Sequence, residues 1–198
     1  MRKSKRNAAV IAVIVIGLIV IAFLFGGELY RKSIYEYKKS THPLKFSEYV
    51  EKYSEEYGVD KFLLYSVIKT ESGFDTKAVS SVGARGLMQI MEETFDWIKY
   101  RLGDEETVYD DMFDAEDNIR YGAYLIDYLV DYFGDTDAAV AAYHSGIGTV
   151  SEWLTDSNCS QDGKTLYNIP SSTAAHYVNK IIKALATYTE LYGQERKY

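Results

Sequence analysis

The sequence predicts a mainly α chain: a compact bundle of short helices carrying one small β-turn element, with a long apolar helix in front. Three observations carry this prediction. Apolar residues recur at helical spacing through most of the second half, as in Ile119, Gly122, Ile126, Leu129, Val130 and Phe133. Capping residues and glycines bracket those segments, with Asp60 before one and Gly134 after another. A glycine-punctuated stretch around Gly83 to Ile90 breaks the helical pattern and is the place for the β element. No internal repeat or low-complexity tract is visible.

The elements follow in order. Residues 1–7 are basic, with Arg2, Lys3, Lys5 and Arg6. Residues 8–25 are 18 consecutive uncharged, strongly apolar residues. At ~1.5 Å per residue they span about 27 Å, enough for a bilayer core. The basic start places the N-terminus on the cytoplasmic side and the rest outside the cell membrane. An uncleaved, single-pass anchor is the preferred reading. A cleaved signal peptide is the other, with Gly26-Gly27-Glu28 as a weak cleavage site. Residues 26–43 read as a juxtamembrane linker ending at Pro43, and residues 44–198 as the globular domain.

Within that domain, Ser47 is placed to cap a helix through Tyr57, stopped by Gly58. Asp60 caps the next, which ends near Gly73. Loop and turn fill the segment from Phe74 to Gly86. A helix over Glu92 to Leu102 follows. The acid-rich segment Asp104 to Asp117 reads as a solvated loop closed by a capping pair, Asp114 and Asp117. It lacks the central Gly and terminal Glu of a calcium loop. Asp137 is placed to cap a helix through Tyr143, ended by Gly146. A short helix over Thr149 to Leu154 and a polar loop lead to the last helix, from Ser172. Val178, Ile181, Leu185 and Tyr188 form its apolar face.

Composition narrows the function. The net charge is −7, and the body after the basic start is four charges more negative still, so there is no basic stripe for nucleic acid. The single cysteine excludes an internal disulfide and a thiolate metal cluster. His42, His144 and His176 show no metal-ligand spacing, and no metal or cofactor is expected. The 19 tyrosines suit both core filling and sugar stacking.

One residue breaks its pattern. Leu64, Val67 and Ile68 form an apolar stripe, and Glu71 takes the next place on it, at the helix end. Burial and the negative end of the helix dipole both disfavour its charged form, which raises its pKa toward the range of a general acid. On periodicity alone two readings stand: such an acid, or a solvated charge frayed from the stripe.

The residues around Glu71 carry a resemblance. Glu71-Ser72-x-Phe74, Ala78-x-Ser80-x-x-Gly83-Ala84-x-Gly86 and Leu87-Met88-Gln89-Ile90-Met91 form the first motif. Asn118-Ile119 with Gly122, Ala142-Tyr143-x-x-Gly146-x-Gly148-x-Val150, and Tyr177-Val178 follow. The chain resembles the soluble lytic transglycosylase family, with the α+β, lysozyme-like fold of goose-type lysozymes. The resemblance covers roughly residues 46 to 190. It implies that Glu71 is the catalytic acid, and that Ser80 hydrogen-bonds near that acid and the substrate's N-acetyl group. It implies that Gln89 and Met91 contact the sugar, that the Tyr143 hydroxyl lies close to the acid, and that Tyr177 lines the cleft. The implied substrate is the glycan strand of peptidoglycan. The implied reaction cuts the β-1,4 bond between N-acetylmuramic acid and N-acetylglucosamine, leaving a 1,6-anhydro product. A hydrolytic muramidase on the same scaffold and a non-catalytic glycan-binding protein are the alternatives. The chain departs from the family at Glu92, at His144-Ser145 in place of Asn-Ala, and at Thr173-Ala174-Ala175 in place of Glu-Thr-Arg.

Overall fold

The computed structural model describes residues 2–193, with the side chains of residues 2–13 and 18–24 outside that description. The chain divides into two units, residues 1–43 and residues 44–198. The first is one helix, α1 (Arg2–Thr41). The segment read as a linker is therefore helical as far as Thr41. The proposed membrane helix, residues 8–25, falls largely on side chains outside the description. Among the described residues no helix is long and apolar enough to cross a membrane.

The second unit is built from seven α-helices among the described residues: α2 (Ser47–Tyr57), α3 (Lys61–Glu71), α4 (Glu92–Leu102), α5 (Ala115–Phe133), α6 (Thr136–Ser145), α7 (Ile147–Thr155) and α8 (Ser172–Tyr192). Most boundaries sit where local chemistry puts them. The carboxylate of Asp60 accepts from the Phe62 N–H, that of Asp114 from the Glu116 and Asp117 N–H groups, and the Ser171 hydroxyl from the Ala174 N–H. Each satisfies backbone donors that the first turn leaves without partners. At α6 the cap is Asp135, which accepts from the Ala138 N–H, and not Asp137. Ser47 is likewise the first residue of its helix rather than the cap; Phe46 precedes it in the left-handed region.

The core collects the apolar faces. Leu63 to Ile68 of α3 are all buried, because α2 covers one side of the helix and α8 the other. α5 packs on α2 and α6, and α6 packs on α8. Tyr65 and Tyr188 stack between α3 and α8 with ring centroids 5.4 Å apart, so two of the many tyrosines are core. The β element is minimal: antiparallel bridges join Val79 to Arg85 and Arg85 to Ile90.

Residues 104–117 differ from a solvated loop. They contain a 3₁₀ turn over Tyr109–Phe113, and the Asp104 side chain is only 8% exposed, paired with Arg120 at 3.0 Å. Burial alone would raise the Asp104 pKa. Hydrogen bonds from the Thr107 N–H and hydroxyl and the Glu106 N–H, with the Arg120 charge, outweigh it and hold the group down at about 2. The 3₁₀ turn also grips the β element. The Tyr109 hydroxyl donates to the carbonyls of Gly83 and Ile90, at 2.8 and 3.0 Å, and the Arg85 guanidinium lies 4.0 Å from the Tyr109 ring centroid.

Two glycines mark the closest approaches. A Cβ on Gly86, where φ is +74°, would stand 2.0 Å from the Met112 carbonyl oxygen. On Gly122 it would stand 2.2 Å from the Met88 sulfur, the mobile part of a flexible side chain. Gly86→Ala should therefore lose ~4 kcal/mol or more, or fail to fold. Gly122→Ala should lose about 1–3 kcal/mol. Urea unfolding of the two variants checks the order. Asp104 gives a pH signature. Its depressed pKa means that its contribution is complete above about pH 4 and fades as pH falls toward its folded value. Asp104→Asn should lower the melting temperature at neutral pH, and the gap to the parent protein should close on acidification between about pH 4 and pH 2.

Candidate active site

The last residue of α3 is Glu71, and the structure shows how that helix end is fixed. The Ser72 hydroxyl donates to the Leu87 carbonyl at 2.8 Å and accepts from the Phe74 N–H at 3.1 Å. It thereby joins the end of α3 to the glycine-punctuated loop. Lys180 on α8 points its ammonium at the Thr70 carbonyl, 3.5 Å away, a cation placed at the negative end of the helix dipole.

The loop is held from its other side by Asn118, a fully buried residue on α5. Its amide oxygen accepts from the Met88 N–H at 2.7 Å, and its amide nitrogen donates to the Arg85 and Met112 carbonyls at 3.0 and 2.9 Å. The Met88 carbonyl accepts from the Tyr143 hydroxyl at 2.6 Å. One peptide segment is thus tied to both α5 and α6. Ser72 and Asn118 were visible in the sequence as motif letters, but nothing local revealed what they bond to.

The acid's own partner is Tyr177. Its hydroxyl donates to Glu71 Oε1 at 2.5 Å. The resemblance placed the Tyr143 hydroxyl beside the acid and Tyr177 in the cleft wall. Here Tyr177 makes the direct bond, and Tyr143 stands behind it, bonded to the loop. The two remain electrostatically close: the Glu71 charge helps to push the Tyr143 phenol well above its ordinary pKa, after burial, which is the larger cause. Tyr177 is raised in the same way, by burial first and then by the neighbouring carboxylate.

Burial is also the largest influence on Glu71. It raises the carboxyl pKa, opposed by the Tyr177 hydrogen bond and the Lys180 charge, and the net direction is upward. Among the described residues no second carboxylate acts on Glu71.

The remaining predicted residues divide. The Ser80 hydroxyl accepts from the Val82 and Ala84 N–H groups, which makes it a turn residue; among the described residues it has no bond to Glu71. Gln89 holds a left-handed backbone, φ 52°, and its amide donates to the Ala78 and Gly86 carbonyls, closing the loop on itself. Met91 is 41% exposed and lines a cavity of about 490 Å³ with Thr94, Trp97, Tyr143 and His144. Larger concavities of about 590 and 920 Å³ lie elsewhere, near Tyr65 with Tyr192 and near Gly134 with Lys164, and neither includes a residue of the loop. Among the described residues no group of His, Cys, Asp and Glu is arranged to hold a metal ion.

The geometry is that of a half-buried carboxyl held by a buried phenol, with Tyr143 and His144 of the neighbouring helix lining an open cavity that also takes in Met91 and Trp97. The transglycosylase SLT domain family matches residues 48–166. The membrane-bound lytic murein transglycosylase C of Serratia proteamaculans is 30% identical over 73% of this chain and 46% of its own length. The soluble lytic murein transglycosylase of Salmonella typhimurium is 28% identical over 82% of this chain and 26% of its own. The 70 kDa soluble lytic transglycosylase of Escherichia coli superposes with a TM-score of 0.72, at 25% identity, over 81% of this chain and 26% of its own. The chain thus spans less than half the length of these relatives. Its match runs through the acid, the glycine-punctuated loop and α5 to α7, and the chain belongs to the transglycosylase SLT domain family.

Proposed function

We propose that this protein is a membrane-anchored peptidoglycan lytic transglycosylase. The observation that carries the reading is the clamped acid: Glu71, half-buried, raised in pKa and bonded by Tyr177 at 2.5 Å. A raised pKa favours the neutral carboxyl, the form that a proton donor to a glycosidic oxygen needs.

The chemistry follows from one carboxyl used twice. Glu71 gives its proton to the bridging oxygen as the bond from the muramyl anomeric carbon to that oxygen breaks. The positive charge that develops is oxocarbenium-like, and the substrate's own N-acetyl group stands where a second carboxylate would otherwise act. Glu71, now a carboxylate, takes the proton of the muramyl C6 hydroxyl. That oxygen bonds the anomeric carbon and closes the 1,6-anhydro ring. The proton returns to Glu71, and no water is consumed. Tyr177 holds the carboxyl in place through both steps. Gln89 keeps the loop closed, and Met91, Trp97 and Tyr143 offer the sugar an aromatic and apolar wall. Ser80 contributes by shaping the turn that carries them.

The membrane part rests on other support. The run at residues 8–25 is long enough for a bilayer and follows four basic residues. Ile14, Val15, Ile16 and Phe25 on α1 are exposed. A relative bears the name membrane-bound. In this reading the domain faces the cell wall from the outer side of the membrane.

Two tests apply. Glu71→Gln should lower glycan cleavage by at least ~10²–10⁴-fold with an unchanged circular dichroism spectrum. Tyr177→Phe should cost on the order of 10-fold, one hydrogen bond's worth, and move the alkaline limb of the rate profile to higher pH, since its bond lowers the Glu71 pKa. Products weighed by mass spectrometry should be lighter by one water than hydrolysed ones. Full activity of Glu71→Gln would end the assignment. For the anchor, the full chain should sediment with membranes after an alkaline carbonate wash, and a chain lacking residues 1–25 should not; the reverse result refutes it.

A further inference from the structure

The strongest feature outside the acid, its tyrosine partner and the loop is an imidazole on the same group. His144 lies on α6 beside Tyr143, and its ring stacks on Tyr177 with centroids 4.6 Å apart and planes 18° from parallel. We propose that His144 is a positioning residue that acts on Glu71 through Tyr177. Its ring closes one face of the phenol and holds the hydroxyl on the carboxyl oxygen. This inference rests on the assignment of Glu71 as the acid.

Three observations support it. The platform is rigid: α6 ends at Ser145, Gly146 closes it with an N–H to the Ala142 carbonyl, and Tyr143 fixes the preceding residue through its bond to Met88. The Tyr177 ring is buried, and the exposed His144 ring covers one face of it. His144 also lines the cavity with Met91, Trp97 and Tyr143, so one ring touches both that cavity and the phenol bonded to Glu71. A phenol stacked against a parallel ring loses freedom to swing away.

The ionisable groups around this stack are Glu71 on α3, Tyr143 on α6, Tyr177 and Lys180 on α8, and Glu93 on α4, which shares the cavity. A direct effect of the His144 side chain on Glu71 would not need the Tyr177 hydroxyl, so backgrounds with and without that hydroxyl separate the stack from a direct effect.

The Glu71 pKa, followed by carbon-13 NMR titration of the full chain with Glu71→Gln to assign the signal, needs no substrate and does not depend on the reaction. Tyr177→Phe should raise it, because the lost bond favours the carboxylate. His144→Ala should raise it as well, and by more in the parent than in the Tyr177→Phe background, where only a direct effect survives. His144→Phe, which keeps a stacking ring without a charge, should shift it equally in both backgrounds. The proposal is overturned if Tyr177→Phe has no effect, if His144→Ala shifts the pKa equally with and without the Tyr177 hydroxyl, or if His144→Phe behaves like His144→Ala. If the cycle holds while Glu71→Gln keeps cleaving glycan, the positioning stands and the enzymatic reading fails.

Discussion

The peptide of Met88 is the point on which the site's architecture depends. Its N–H goes to the buried Asn118 amide, its carbonyl receives the Tyr143 hydroxyl, and its side chain fills the space left open at Gly122. The preceding carbonyl, of Leu87, receives the Ser72 hydroxyl. Three helices, α3, α5 and α6, therefore meet on two consecutive residues of a loop with almost no regular structure of its own. A buried backbone group without a partner costs ~1–3 kcal/mol, so a loop that turns through the interior folds only if side chains supply what a sheet would have supplied. Asn118 suits that task because one amide offers both an acceptor and two donors, and all three are used. The closeness of Gly86 to Met112 and Asn118 has the same origin.

Most of the helices were legible because their ends are written in short-range chemistry. Asp60, Asp114, Gly58, Gly103 and Gly134 act within a few residues of where they stand. At α6 the sequence reading puts the cap at Asp137, and the structure has it two residues earlier, at Asp135, whose carboxylate accepts from the Ala138 N–H. The 3₁₀ turn at Tyr109–Phe113 was hidden in an acidic segment because its stability comes from Tyr109 reaching Gly83 and Ile90. That is a bond across some twenty residues, with no periodicity to announce it.

The site was legible in part for the same reason. Glu71 stood out because a carboxylate on an apolar stripe violates a local rule, and such violations concentrate at functional sites. The division of labour between Tyr143 and Tyr177 could not be read. Both are tyrosines on helix faces, and which hydroxyl reaches Glu71 is decided by how α6 and α8 approach α3. Ser80 shows the converse: a motif letter that, in three dimensions, spends its hydroxyl oxygen on its own turn.

The clamp on Glu71 has a directional consequence. Because Tyr177 donates to Oε1, that oxygen already serves as an acceptor, and the proton of the neutral acid is left to reside on Oε2. The carboxyl is then lopsided: one edge is taken up by the phenol, and whatever else meets Glu71 meets it at the other.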